Sequence, residues 1–164
     1  RTLVALPARG LLILLAWSLV VVSYTYANAF RSQFEFEQSF ITRLAYDIEH
    51  SDAILRDQQV DTITFVGTIP PSRILTNSRA KFPYLGRGVI PRLINDTWWW
   101  GHIALNNYAM SNLKYRDLAV TREHLDELQA RGEMTALFSS RAYRGFVYDG
   151  TLLVAIPRAD GDKK

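Results

Sequence analysis

Between Thr62 and Asn95 the sequence carries no acidic residue but five basic ones, Arg73, Arg79, Lys81, Arg87 and Arg92, and Trp98-Trp99-Trp100 follows at once. A guanidinium group pairs bidentately with phosphate, and an indole ring favours the boundary between polar and apolar surroundings. A domain resting on lipid head groups, or holding a lipid-linked phosphate, needs that combination. Arg87, Arg92, Trp98, Trp99 and Trp100 are therefore the candidate contacts to a head group or substrate. The competing reading puts the indoles in a core and the arginines in solvent, since three consecutive helical residues cannot all face one way.

Other chemistry is sparse. His50, His102 and His124 lack paired ligand spacing, and there is no cysteine, so no metal site and no thiol chemistry is expected. No serine sits in a nucleophile-elbow motif. Asp47, Glu49 and Asp52 cluster in sequence but read as the solvated face of an amphipathic helix. Gly86-Arg87-Gly88 precedes Val-Ile-Pro rather than opening a helix after a strand, so the dinucleotide fingerprint fails and no cofactor is expected.

The elements that would position these groups begin with an apolar stretch. Gly10 to Phe30, between Arg9 and Arg31, holds no charged residue. As a helix it would be roughly 31 Å long, about the thickness of a bilayer's hydrocarbon core. Tyr24 and Tyr26 lie near one end, where amphipathic rings suit the interface. A signal peptide is the alternative, with Arg1 and Arg9 as its basic region, Leu11–Val22 as its apolar region and Ala27-Asn28-Ala29 as its cleavage pattern. A chain beginning at Arg1 rather than Met is expected to be the tail of a longer polypeptide, which favours an internal membrane helix and makes the lipid bilayer a partner.

Beyond it, Phe30, Phe34, Ile41, Leu44, Ala45, Ile48 and Leu55 recur at helical spacing and predict a helix packing one face on a folded domain. Thr62–Val66 reads as a strand ended by Gly67; the Pro-rich stretch after it is expected to be mostly non-helical. A helix is expected over Trp98–Leu113, a short strand over Tyr115–Val120, and a helix over Arg122–Arg131 capped by Thr121. Phe146–Tyr148, Asp149-Gly150 and Thr151–Ile156 predict a hairpin whose second strand, apolar on both faces, lies centrally under two layers. The fold class is α/β: residues 1–30 a transmembrane helix, residues 31–164 a small soluble domain with a mixed sheet flanked by helices. Of 19 basic side chains only Arg1 and Arg9 precede this domain, which nearly balances the 16 acidic ones. Such a balance argues against nucleic acid as a partner.

The order of FRSQFEFEQSFITRLAYDIE, ITFVG, a Pro-rich loop, WWWGHIALNNYAMSNL and FVYDGTLLVAIP after a hydrophobic helix resembles the C-terminal end of the serotype-converting glucosyltransferases of bacterial O-antigen. The resemblance implies the last membrane helix and the supporting periplasmic domain of a polytopic inner-membrane enzyme. Such enzymes take glucose from a polyprenyl-phosphate carrier and add it to lipid-linked O-antigen, so both are implied partners. Their catalytic acids are expected upstream of Arg1, and no catalytic residue is assigned here. The alternative class is a non-enzymatic membrane-anchored or secreted domain with a sensing or scaffolding role.

Overall fold

The computed structural model describes residues 2–83, 90–95, 100–107, 113–118 and 120–157. Helix α1 runs from Thr2 to His50. No glycine or proline interrupts the sequence from Leu11 to His50, so nothing breaks the ladder. The short α2 (Asp52–Asp57) follows, and Gln59, with φ 53°, reverses the chain into β1 (Thr62–Val66). Then come α3 (Arg73–Lys81), α4 (Trp100–Asn107), β2 (Lys114–Tyr115), α5 (Arg122–Ala130), β3 (Thr135–Ser139), β4 (Arg144–Tyr148) and β5 (Thr151–Ala155).

The chain divides into two compact units. The larger comprises Phe36–Pro70 and Arg92–Lys164 and holds the sheet, ordered β2-β1-β5-β4-β3. Strands β2 and β5 flank β1 in parallel, while β4 pairs antiparallel with both β5 and β3. The sheet is mixed and carries helices on both faces, the α/β architecture expected. On one face, Ile63, Phe65, Leu152, Val154 and Ile156 meet Phe40, Ile41, Leu44, Ala45 and Ile48 of α1 and Leu105 of α4. On the other, Val66, Phe146 and Leu153 meet Leu125 of α5. Strand β5 is thus covered twice, and Leu152, Leu153 and Val154 are each 0% exposed. Asp149 and Gly150 turn between β4 and β5 with φ 47° and 65°, the paired positive angles of a type I′ turn. The Arg116 guanidinium clamps that turn, donating to the Asp149 carbonyl and Thr151 Oγ1 and pairing with Asp149 Oδ2 at 3.1 Å.

The smaller unit comprises Arg1–Glu35 and Pro71–Pro91. Ala29, Leu75 and Ile90 cluster, and Gln33 Oε1 accepts the Ser72 backbone N–H at 2.7 Å. Ser72 in turn caps α3, its hydroxyl accepting from Leu75 N.

Several expectations are corrected. Helix α3 occupies part of the stretch expected to be non-helical. Its prolines lie outside it, at 70, 71 and 83, where they punctuate a helix rather than forbid one. The inward stripe of α1 is the expected one at Ile41, Leu44, Ala45 and Ile48 but is offset before them. Phe30 and Phe34 are exposed, while Ala29, Gln33, Glu37 and Phe40 are buried. Glu37 is tolerated there because its Oε2 accepts the Leu93 backbone N–H at 3.0 Å. Of the helix expected over Trp98–Leu113, the described residues show Trp100–Asn107 as helix, and Leu113 is not helical. The strand expected over Tyr115–Val120 is confined to Lys114–Tyr115. Past it the backbone coils on itself, Leu118 N bonding Arg116 O and Val120 N bonding Leu118 O. Strand β3 was not foreseen.

Candidate functional site

The apolar part of α1 has the plainest functional geometry. Within Ala8–His50, an 18-residue window is long and apolar enough to cross a membrane, and none of it is buried. Leu12, Ile13 and Leu19 are about two-thirds exposed (65%, 71% and 69%). Every backbone group inside the helix is satisfied by the ladder, as hydrocarbon requires. The polar side chains follow the same rule where contacts are given: Thr25 Oγ1 donates to Val21 O at 2.8 Å. A signal sequence would meet the same length and composition criterion.

At the far end of this stretch the surface changes character. Tyr24, Tyr26, Phe30 and Phe34 are all exposed, with Tyr26 and Phe30 stacked at 6.2 Å. Arg31 then pairs with Glu35 at 2.7 Å. Aromatic rings between an apolar run and the first charges form the arrangement found at membrane interfaces. Sequence reading assigned the two tyrosines this way but turned Phe30 and Phe34 inward. The missed signal is the stripe Ala29, Gln33, Glu37, Ile41, whose polar members disguised the buried side.

Arg73 and Lys81 lie exposed on α3 and Arg79 is half-buried there. Arg92 is half-buried, and its Nη1 donates to the Ile69 carbonyl at 3.3 Å, tying the strand exit at Ile69 to the segment that returns at Ile94. Arg87, Trp98 and Trp99 lie outside the described residues. Trp100 opens α4, and its side chain also lies outside the described set.

The carboxylates expected to be solvated divide. Glu49 is exposed, and Asp52 pairs with Arg56 on the surface. Asp47 instead accepts the Tyr143 hydroxyl at 2.6 Å. Tyr143 is 0% exposed, wedged edge-on against Phe40 and Phe138. Burial, and then the bond to Asp47, push its phenol far above the ordinary tyrosine range, so the hydroxyl keeps its proton and the bond is a structural tie. His50 packs on Tyr46, and His102 bonds the Leu113 carbonyl. Among the described residues no group of three or more His, Asp or Glu is placed to hold a metal.

Comparison with known proteins finds one relative of note. Over 105 residues the chain is 33% identical to an "uncharacterized 55.3 kDa protein in gtrB 5'region" of Salmonella phage P22. The alignment takes in 63% of this chain but 21% of the phage protein, so the chain spans about a fifth of that relative. No protein family matches the chain, and no solved structure does.

Proposed function

We propose that this chain is the closing membrane helix and supporting domain of a larger membrane glucosyltransferase of the O-antigen-modifying kind. In this reading residues 1–30 span the bacterial inner membrane and residues 31–164 lie in the periplasm. The whole polypeptide moves glucose from a polyprenyl-phosphate carrier to lipid-linked O-antigen. The fragment holds the carrier or acceptor near the head groups, with Arg87, Arg92, Trp98, Trp99 and Trp100 as the contacts. The observation that carries this reading is the match to a phage protein whose name places it beside gtrB, the setting of a serotype-conversion locus. The uncovered apolar helix with aromatic rings at its exit supports it, because an enzyme acting on lipid-linked sugars works where such a helix ends.

The test is genetic and chemical. The entire open reading frame is expressed, with its neighbouring genes, in a host whose O-antigen lacks the modification. Mass spectrometry of the released polysaccharide should show one added hexose per repeat. A frame truncated before the present Arg1 should lose that product. Unmodified polysaccharide from the complete, membrane-inserted protein would reject the transferase reading and favour a sensing or scaffolding role. N-terminal sequencing of the membrane-extracted product separates a retained span from a cleaved signal peptide, which would leave a terminus at Phe30.

A further inference from the structure

Beside α5, where β1 and β5 end, the larger unit has a half-open cavity of about 200 Å³. The two strands are parallel and reach it with their carboxyl ends, the edge at which open α/β sheets take ligands. Leu125, Phe146 and Ile156 supply apolar wall, while Arg122, Gln129 and Arg144 supply donors.

Both guanidinium groups are placed by the fold. Arg122 is the first residue of α5, held by the Thr121 cap, and its Nη2 donates to the Ile156 carbonyl. The space for it exists because residue 67 is glycine. A Cβ there would stand 2.6 Å from Arg122 Nη2 and 2.8 Å from the Ile156 carbonyl oxygen. Arg144 opens β4 opposite Ala155 and is exposed. Among the described residues it forms no ion pair. Asp126 is the single acid in the lining, against two arginines. The site therefore keeps a positive excess over an apolar wall.

We infer that this cavity binds the phosphate end of an amphiphilic phosphate monoester. The arginines meet the phosphate oxygens, Gln129 adds a neutral donor, and the first carbons of the ester lie on Leu125, Phe146 and Ile156. Pockets for whole small-molecule ligands run to roughly 300–1,000 Å³. At about 200 Å³ this one takes a head group and a short apolar flank, not a nucleotide sugar. A chain that takes no part in glucose transfer would still hold this anion here, and a working transferase with an empty cavity would still add its hexose.

The 164-residue chain, in nanodiscs of zwitterionic lipid, is titrated calorimetrically with inorganic phosphate, hexyl phosphate and hexanol. Hexyl phosphate should bind roughly tenfold more tightly than inorganic phosphate, because only it buries carbon on the wall, and hexanol should give no saturable heat. Arg144→Gln should weaken hexyl phosphate binding roughly tenfold or more, and Arg144→Lys should recover part of the loss. Arg144 is exposed, so neither variant threatens the fold, and an unchanged denaturation midpoint verifies that. Equal binding of hexanol and hexyl phosphate, equal binding of inorganic and hexyl phosphate, or an Arg144→Gln variant that binds like the parent would each overturn the assignment.

Discussion

Leu15 and Leu44 are the same residue type in the same helix, yet Leu15 is 55% exposed and Leu44 is 0% exposed. Around Leu44 every third or fourth residue meets an apolar partner: Ile41 and Ile48 on α1, Ile63 and Leu152 in the sheet. Around Leu15 the helix carries leucine, isoleucine, valine and tryptophan on all sides, and none of that window is covered. Helix formation is indifferent to the contrast, since the backbone ladder closes in both surroundings. What differs is the cover each stretch calls for. One stripe of α1 is matched by protein. The other stretch is apolar all round and calls for an apolar medium, since a soluble surface rarely carries so large a contiguous patch.

The largest effect should come from hollowing the covered region. Leu44→Ala or Leu153→Ala should each lower unfolding stability by about 2–5 kcal/mol, read from the urea midpoint at constant slope. Leu15→Ala should leave that midpoint where it was, and a comparable drop would break the contrast outright. Next comes a charge in the uncovered region. Leu14→Arg should disfavour membrane insertion by about 2.5–3.5 kcal/mol, measured as the fraction of chain recovered in carbonate-washed membranes. The same substitution should not move the urea midpoint of the larger unit. Loss of folding without loss of insertion would reverse the roles assigned to the two stretches.

How much of this was legible in the sequence depends on whether the cover was local. The Asp149-Gly150 turn, the Thr121 cap and the doubly apolar β5 could be read directly, because each is set by residues within a few positions. The uncovered stretch was legible because nothing interrupts its composition. The inward stripe of α1 was misread at Phe30 and Phe34, because Gln33 and Glu37 are buried and accept backbone N–H groups, at Ser72 and Leu93, distant in sequence. Strand β3 escaped for a similar reason. Its Thr-Ala-Leu-Phe-Ser run has no strong alternation, and a register shift between Ala136 and Phe138 breaks its pairing with β4. The cavity between Arg122 and Arg144 joins a helix start to a strand start, which no spacing rule connects.

A smaller effect probes how the covered half of α1 is held to the hairpin. Tyr143→Phe removes the hydroxyl that serves Asp47 and should cost about 1.5–3 kcal/mol, as for a hydrogen bond to a charged group. The pH dependence has a definite sign. Burial first, and then the Asp47 bond, raise the Tyr143 phenol in the folded state above the ordinary value near 10. The folded chain therefore keeps this proton longer than the unfolded one. The corresponding stability is fully present below about pH 10 and is lost as the pH rises beyond it. Tyr143→Phe should flatten that alkaline limb of the urea-midpoint profile. A parent and variant with parallel profiles up to pH 11 would remove Tyr143 from the account. No equivalent titration is expected from the uncovered stretch of α1, which carries no ionisable side chain between Arg9 and Tyr24.

The last and smallest effect concerns register. Where one face of a strand is polar, a slip by one residue is forbidden by burial. Strand β5 lacks that protection, because Leu152, Leu153 and Val154 are apolar on alternating faces and all are buried. Its register must come from the turn, from the 2.7 Å hydroxyl pair of Thr62 with Thr151, and from the Arg116 clamp. Gly150 is the turn residue to alter. A Cβ on it would find only the Gln59 carbonyl oxygen, 3.8 Å away, so crowding is not the issue. Its φ of 65° is, and a β-branched side chain in that left-handed region costs about 1–2 kcal/mol. Gly150→Val should lower the unfolding stability by that amount, read from the urea midpoint at constant slope, Gly150→Ala by somewhat less, and Gly150→Asn least, because asparagine visits this conformation readily. If all three variants matched the parent, the turn would not be setting the register, and the double covering of β5 would have to do so unaided.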